Sequence, residues 1–211
     1  QSEAWVRVLA SSVLPTPTIY AGTEGDGVFR STDNGLTWSP FSAGLTGAAL
    51  AIRAIHPSGS DVLVGTTVGL FRSSGGGAFQ PVAQGAGPGK LNQAVQAILS
   101  SSVPGQLLVG TVSNGVWRSA DGGATWQPPG VGNGMPADAT VWSLDAYAWL
   151  PNVVIAATSQ GIYQSADFGA SWLSTSDGID PGAFTFRVYV DPANPLLRYA
   201  ATTAGVYRSV T

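Results

Sequence analysis

Arginine side chains recur at one position of a repeated strand pattern, and the chemistry they offer is anion binding. Arg7, Arg53 and Arg187 align there, and two other copies of the pattern carry Gln96 and Ser143. A guanidinium group presents a planar fork of N–H donors that matches a carboxylate or another oxyanion. We therefore treat these five residues as a candidate anion-binding ring. The alternative is that they line a water-filled channel.

Carboxylate pairs would be needed to cleave a glycosidic bond. That reaction requires two carboxyl groups about 5 to 9.5 Å apart. Glu24 and Asp26 share one loop, and Asp177 and Asp180 share another, so either pair is geometrically feasible. No flanking sequence resembles a glycosidase motif, however, and carboxylates on loops are usually solvated. The pattern favours solvated loops over an active site.

Metal and serine-hydrolase chemistry have little support in the sequence. The chain has one histidine, His56, and no cysteine. A transition-metal site needs several such ligands. No nucleophile-elbow string accompanies His56, as a serine hydrolase would require. We expect no catalytic residue, no metal and no cofactor.

The composition argues against nucleic acid as a partner. Nine basic and twelve acidic residues make up only 10% of the 211-residue chain, whereas nucleic-acid binding needs a basic surface that displaces counterions. No run approaches the roughly 18 to 20 apolar residues of a membrane-spanning helix. The chain begins at Gln1 rather than Met, which would follow from removal of a signal segment or from trimming of the sequence. We expect the protein to be periplasmic or secreted.

A strand pattern repeats five times along the chain. Apolar runs end in AGT, VGT, VGT, AAT and AAT at positions 21, 64, 109, 156 and 200, with steps of 43, 45, 47 and 44 residues. Periods of this length are typical of propeller blades, because a lone blade cannot bury both of its faces. The sequence predicts a single all-β domain over residues 1–211, a β-propeller with repeats at approximately 4–45, 46–90, 91–136, 137–182 and 183–211.

The fifth repeat reaches the end of the sequence after its third predicted strand. This predicts four full four-stranded blades plus a fifth that is incomplete or closed by the N-terminus. An open blade edge would invite pairing with another chain. We expect the two termini to lie together in one blade. The alternative is that the chain is a piece of a larger propeller.

One string crosses the turn between the third and fourth strands of three repeats. It reads FRSTDNGLTW at 29–38, WRSADGGATW at 117–126 and YQSADFGASW at 163–172. Its Asp can accept backbone N–H groups of the turn, its Gly permits a left-handed backbone, and its Trp is placed to pack between blades. Recurrence at a fixed period indicates a structural role. The residues are Ser31, Asp33, Gly35, Thr37, Trp38, Ser119, Asp121, Gly123, Thr125, Trp126, Ser165, Asp167, Gly169, Ser171 and Trp172.

These strings resemble the Asp-box, or bacterial neuraminidase, repeat, whose pattern is Ser-x-Asp-x-Gly-x-Thr-Trp. The match is complete in two copies, and the third has Ser171 in place of Thr; the second repeat, FRSSGGGAF at 71–79, lacks the Asp. The resemblance implies a β-propeller. It does not imply one activity, because the family includes sialidases, xyloglucanase-type glycosidases, sortilin-like receptors and photosystem II assembly factors. The chain is most similar in character to the non-enzymatic branches.

Apolar residues occupy turns between the first and second strands that are polar in most Asp-box repeats. The fourth copy reads DAYAWLPN at 145–152, which places large side chains where solvent is expected. Gathered on one face, such residues would form an exposed patch of the kind that marks an interface. The alternative is that this turn folds back and buries its Trp. The candidate docking residues are Val13, Leu14, Val103, Tyr147, Trp149, Leu150 and Leu196.

The functional prediction is a non-catalytic binding or scaffold propeller. It would dock on a protein partner, which a membrane-associated complex could supply. The alternative is a carbohydrate-binding module or a degenerate sialidase-like or glycosidase-like propeller, with a glycan as ligand.

Overall fold

The computed structural model describes residues 5–13, 16–82, 91–147, 149–180, 182–194 and 196–209. Within them the chain forms five small antiparallel sheets, and each strand pairs with the next strand along the chain. This confirms the all-β prediction. The helical element among the described residues is one turn of 3₁₀ helix at Gly47–Leu50.

The sheets are numbered in chain order. Sheet 1 contains β1 (Val6–Ser12), β2 (Thr18–Thr23), β3 (Val28–Ser31) and β4 (Ser39–Pro40). Sheet 2 contains β5 (Ile52–Ser58), β6 (Asp61–Thr66), β7 (Gly69–Ser73) and β8 (Gln80–Val82). Sheet 3 contains β9 (Val95–Ser100), β10 (Leu107–Thr111) and β11 (Val116–Ser119). Sheet 4 contains β12 (Val141–Tyr147), β13 (Leu150–Thr158), β14 (Gly161–Ser165) and β15 (Leu173–Ser174). Sheet 5 contains β16 (Thr185–Val190), β17 (Arg198–Thr202) and β18 (Gly205–Ser209).

The chain divides into two compact units, residues 1–95 and 96–211. Sheets 1 and 2 lie in the first unit, and sheets 3, 4 and 5 lie in the second, apart from the first residue of β9. An apolar core of the first unit is built around Ile52, Val64 and Phe79. In the second unit, one core lies around Leu108 and Trp172 and another around Ile155 and Val188. The division of a single domain into five repeats stays a prediction.

The second strand of each repeat is the most buried element in sheets 2, 3 and 4. All five residues of β10 are buried, as are the last five of both β6 and β13. Small and β-branched residues suit a strand that is buried on both faces. The second strand of sheet 5, β17, is different, since only Ala200 in it is buried.

A β-bulge near the start of the first strand recurs in both units. The bulges lie between Val6 and Val8, between Ile52 and Ala54, between Val141 and Ser143, and between Thr185 and Arg187. A bulge inserts one extra, unpaired residue into a strand, and here that residue is Arg7, Arg53, Trp142 or Phe186.

Sheet 5 differs from sheets 1, 2 and 4 in the number of its described strands. Those three sheets end in the short strands β4, β8 and β15, and sheet 3 has a single bridge between Arg118 and Gln127 in the same place. Sheet 5 has three strands within the described part of the chain. Residues 1–4, which would supply a fourth strand if the termini shared a blade, lie outside the described residues.

Candidate functional site

Each of the three Ser-x-Asp turns is held by one hydroxyl and one carboxylate. In the first, the Ser31 hydroxyl donates to Asp33 Oδ1 at 2.7 Å and accepts the Gly35 N–H at 2.8 Å. Asp33 Oδ1 also accepts the Thr37 N–H at 2.9 Å. Gly35 has φ +88°, a left-handed conformation that a side chain would oppose. The same bonds recur around Asp121 and Asp167.

These hydrogen bonds stabilise the charged form of each Asp. Bonds from the Thr37 hydroxyl, the Thr37 N–H and the Ser31 hydroxyl lower the pKa of Asp33 to about 2. The Thr125 hydroxyl and N–H and the Ser119 hydroxyl lower the pKa of Asp121 in the same way. For Asp167, partial burial acts to raise the pKa, but the bonds from Ser171 and Ser165 outweigh it and the pKa is lowered. The three carboxylates act as turn acceptors, which leaves them poorly suited to carry protons in catalysis.

The tryptophans that follow these turns have different surroundings. Trp126 and Trp172 are buried, at 5% and 2% exposure, whereas Trp38 is 41% exposed. The prediction that Trp38 packs between blades is therefore wrong. In sheets 2 and 4 the corresponding residues, Phe79 and Trp172, pack against the sheet that precedes theirs along the chain.

The second repeat closes its turn without an Asp at the usual position. The Ser73 hydroxyl donates to the Gly77 carbonyl. Asp61, at the start of β6, accepts the Ser74 hydroxyl at 3.3 Å and the Gly75 N–H at 3.4 Å. A carboxylate from the neighbouring hairpin thus contacts the turn that lacks its own.

Two members of the predicted anion ring bind a carboxylate of the same unit. Arg7 Nη1 lies 2.9 Å from Glu24 Oε2, and Arg53 Nη2 lies 2.8 Å from Glu24 Oε1. Partial desolvation opposes ionisation of Glu24, but the two guanidinium groups outweigh it and lower its pKa. Glu24 therefore occupies the place that an external anion was expected to take at Arg7 and Arg53, and it is held as an ion-pair partner rather than as half of a catalytic pair with Asp26.

The alignment of Ser143 and Arg187 with these arginines is wrong by one residue. Ser143 pairs with Ala157 and Arg187 pairs with Ala201, and the residue of sheet 2 with the equivalent partner is Ala54, which pairs with Gly65. The residues equivalent to Arg7 and Arg53 are therefore Trp142 and Phe186. Those two rings contact each other edge to face, with centroids 6.5 Å apart. Gln96 keeps its predicted position, one residue after the start of the first strand of sheet 3.

Asp145 links sheets 4 and 5, a role that the sequence did not reveal. Its carboxylate accepts the Val190 N–H at 2.8 Å and the Ala146 N–H at 2.9 Å. Burial raises the pKa of Asp145, while these two bonds and the charge of Arg187 act to lower it. Arg187 is exposed and contributes to this contact rather than to an anion ring.

The candidate docking residues divide into exposed and buried groups. Trp149 is 75% exposed, so the alternative in which its turn buries it is wrong. Tyr147, by contrast, is buried in the core that also contains Ile155 and Val188, so its predicted exposure is wrong. It is the last residue of β12 and points into this core. Leu14 lies outside the described residues. The remaining exposed members are Val13 in the first unit and Val103, Leu150 and Leu196 in the second.

The hairpin that carries Trp149 borders a cavity in the second unit. The cavity has a volume of about 240 Å³ and is lined by Leu99, residues 100–102, Asp145 and Pro151, among others. The cavity lies between the first hairpin of sheet 3 and the first hairpin of sheet 4. The recess beside this hairpin therefore contains the half-buried carboxylate of Asp145.

The two remaining candidate carboxylates line separate cavities. Asp177 lines a cavity of about 210 Å³ between sheets 4 and 5. Asp180, three residues later, lines another cavity together with Gln160 and Phe184. Their shared loop therefore does not place both in one site. Among the described residues no cluster of three metal-ligating side chains occurs. Nor does any helix in that part of the chain have the length and apolar character to cross a membrane.

Comparisons with known proteins identify the fold. No family model and no curated protein sequence matches the chain. An ancestral GH74 enzyme superimposes with TM-score 0.75 and 19% identity over 98% of this chain and 31% of that one. The extracellular domain of a one-component system from B. thetaiotaomicron gives 0.74 and 17% over 99% of this chain and 28% of that one. YCF48 bound to a D1 peptide gives 0.68 and 16% over 100% of this chain and 66% of that one.

The solved structures that resemble the chain are β-propeller proteins, and the chain has a propeller-like fold. They include GH74 enzymes and non-enzymatic propellers alike. The chain spans about a third of the length of the GH74 structure. At these identities the similarity establishes the fold and not an activity.

Proposed function

We propose that the chain is a non-catalytic binding propeller of five Asp-box repeats, which docks on a protein partner through the hairpin of Trp149. The observation that carries this proposal is the exposure of Trp149 and Leu150, at 75% and 54%, on a turn between two strands of one sheet. An exposed indole provides a large apolar area with few rotatable bonds, which is typical of residues that dominate protein interfaces.

The state of the carboxylates also favours binding over catalysis. Glu24 forms ion pairs with two arginines, the Asp of each Ser-x-Asp turn accepts bonds from its own turn, and Asp145 accepts two backbone N–H groups. Each is already used in holding the fold. The similarity to YCF48 in a complex with a D1 peptide adds support for a peptide or protein ligand. We further propose a location outside the cytoplasm, in keeping with the similarity to an extracellular domain.

The test compares two exposed apolar residues of sheet 4. Trp149→Ala removes the proposed anchor, and Leu173→Ala removes a side chain that is equally exposed, at 76%, but lies on β15. After cross-linking and affinity capture from cells that produce the protein, we expect Trp149→Ala to reduce recovery of the partner about tenfold and Leu173→Ala to leave it unchanged. Equal recovery with both variants would contradict the docking role of Trp149.

The second candidate function is glycan binding or weak glycoside hydrolysis. The observation in its favour is Asp177, which lines a cavity together with Arg198, Tyr199 and Tyr207 in a chain that resembles GH74 enzymes. A panel of fluorogenic glycosides tests it. Turnover that is lost on Asp177→Asn or Glu24→Gln would establish an enzyme and overturn the binding proposal.

A further inference from the structure

A polar recess lies between sheets 3 and 4, at the end of β11. It has a volume of about 280 Å³, and six of its eight lining residues have polar side chains. The six are Gln106, Arg118, Ser119, Gln127, Asn152 and Asp167. Pockets that hold drug-sized ligands have volumes of about 300 to 1,000 Å³, so this recess suits a smaller, polar molecule. Neither Trp149 nor Asp177 lines it, so the recess is separate from the docking hairpin and from the cavity of Asp177.

One wall of the recess is the Ser-x-Asp turn of sheet 4, which contains a strained residue. Phe168 has φ +52°, a left-handed backbone that a bulky residue rarely adopts. Asn34 and Gly122, which adopt it readily, occupy this position in the other two turns. Packing holds the strain, because Phe168 is 5% exposed in the core with Leu108 and its N–H donates to the Asn152 carbonyl at 2.8 Å. Strain of this kind persists only where the surroundings fix it, and it clusters at ligand sites.

The opposite wall places a guanidinium group at the recess. Arg118, in β11, has its Cδ 3.5 Å from the position that a Cβ on Gly169 would take, so its stem rests against the turn of sheet 4. Its Nη2 donates to Gln127 Oε1 at 3.3 Å. In sheet 1 the equivalent residue, Arg30, lies over an aromatic ring instead, with its Cζ 4.7 Å from the centroid of Phe41. Arg118 therefore lines a polar recess where Arg30 covers an apolar ring.

Two opposite charges line this recess without pairing with each other. Asp167 accepts bonds from its own turn, and these stabilise its charged form. Among the described residues the ion pairs are those of Glu24, so Arg118 and Asp167 do not form one. Gln106 also lines the recess, and its Oε1 is buried with no hydrogen-bond partner in the described part of the chain. A buried acceptor without a donor is unfavourable, so a ligand that supplies the donor gains affinity.

We propose that this recess binds a free α-amino acid in its zwitterionic form. The carboxylate of the ligand accepts N–H bonds from Arg118, and its ammonium group donates to Asp167 and to Gln106 Oε1. A guanidinium fork matches a carboxylate, and hydrogen bonds to charged groups are roughly twice as strong as neutral ones. The three protein groups thus match one cation and one anion on the same small molecule. The site requires no protein partner at Trp149, so neither proposal depends on the other.

The probes are glycine, L-serine and L-glutamine, each titrated into the whole chain and followed by calorimetry. We expect saturable binding of at least one of them, with a dissociation constant in the millimolar range or tighter. Matched derivatives of the amino acid that binds then test each charge. The N-acetyl derivative lacks the ammonium group and the amide lacks the carboxylate, so each should bind about tenfold more weakly or worse. Equal binding of either derivative, or no saturation by any of the three amino acids, would overturn the proposal.

A matched pair of arginine variants locates the binding site. Arg118→Gln removes the proposed partner of the carboxylate, whereas Arg30→Gln removes the same side chain from the same strand position of sheet 1. Arg118→Gln should weaken binding about tenfold or more, and Arg30→Gln should leave it unchanged. Equal effects of the two substitutions would refute the site.

A second pair separates binding of the ammonium group from stability of the turn. Asp167 and Asp33 accept the same bonds from their own turns, so Asp167→Asn and Asp33→Asn should lower the melting temperature by similar amounts. Only Asp167→Asn should weaken binding of the amino acid. Unchanged binding by that variant would contradict the proposed role of its carboxylate and overturn the zwitterion site.

Competition with glucose and with sulfate tests whether the recess takes another polar ligand. Neither molecule carries both charges, so neither should displace the bound amino acid. Displacement by glucose would assign the recess to a polyhydroxylated ligand, and displacement by sulfate would assign it to an anion. Either result would overturn the proposal.

Discussion

Sheets 4 and 5 carry nearly the same third-strand sequence in very different surroundings. Residues 161–165 read GIYQS and residues 205–209 read GVYRS. Ile162 is 6% exposed, whereas its counterpart Val206 is 78% exposed. On the second strands, Ala157 is fully buried and its counterpart Ala201 is exposed. The hydrogen-bond register of the two strands is the same, with Ala157 paired to Ile162 and Ala201 paired to Val206.

The difference shows that strand pairing and burial have separate origins in this fold. Pairing follows from the local pattern, which both sheets share. Burial requires a neighbouring sheet on each face and an aromatic side chain packed between the sheets, as is usual where each repeat stabilises the next. Sheet 4 has sheet 3 on one side, through Trp172, and sheet 5 on the other, through the bond from Val190 to Asp145.

The largest effect is expected at Trp172. Trp172→Ala should lower the free energy of unfolding by about 3 to 5 kcal/mol, because it leaves a cavity in the core between sheets 3 and 4. Trp172→Phe should lower the free energy of unfolding much less. Phe79 occupies the equivalent position in sheet 2, and the indole N–H of Trp172 has no hydrogen-bond partner among the described residues. Urea denaturation at neutral pH gives both values.

Trp38→Ala is the control for that measurement, because it removes the same ring from a site that is 41% exposed. We expect a loss of about 1 kcal/mol or less. A loss as large as that of Trp172→Ala would mean that Trp38 has a buried environment in solution and would contradict the contrast between the two turns.

The pair Ile162 and Val206 tests the comparison of the two sheets directly. Ile162→Ala should destabilise the chain by about 2 to 4 kcal/mol through a cavity between sheets. Val206→Ala should change stability by about 0.5 kcal/mol or less, because its side chain is already in water. Denaturation midpoints of the two variants check this. Similar losses would show that the open face of sheet 5 is covered in solution.

The smallest effect is a pH dependence of stability to which the Ser-x-Asp turns contribute. The pKa of Asp33 in the folded chain is lowered from 3.8 to about 2. A lowered carboxyl pKa contributes stability above the unfolded value, and this contribution is lost as pH falls through the folded value. Stability should therefore decline between about pH 4 and pH 2. Asp33→Asn should be less stable than the parent at pH 6 and should lose less between pH 6 and pH 3.

Ser209→Ala provides the reference for the pH measurement. Ser209 has the repeat position of Ser31, but its hydroxyl accepts a bond from Arg198 at 3.1 Å rather than donating to an Asp. Its substitution should leave the slope of stability against pH unchanged. A flattened slope in Ser209→Ala would assign the acid sensitivity to something other than the turns.

Local features of the fold were predictable because they depend on residues close in sequence. The period of the small-residue turns located five sets of strands, and the Ser-x-Asp string located turns whose hydrogen bonds span at most four residues. These inferences needed only strand alternation and turn chemistry. The sequence left open whether Trp149 is exposed or buried by its own turn, and the structure shows it exposed.

Register across repeats could not be read from the sequence. Alignment of Ser143 and Arg187 with Arg53 failed by one residue, because equivalent positions are defined by cross-strand pairs that the sequence does not reveal. The burial of Tyr147 and the exposure of Trp38 depended on which sheets lie beside them.

The sequence by itself determined the all-β class, the repeating strand order and the turns that join the third strand to the fourth. The tertiary structure alone decided that Glu24 pairs with Arg7 and Arg53, that Asp145 links two sheets, and that Asp177 lines a cavity between sheets 4 and 5. The physical reason is distance along the chain. Turns and strand alternation are set by neighbours a few residues apart, whereas ion pairs, inter-sheet bonds and cavities join segments that only packing brings together.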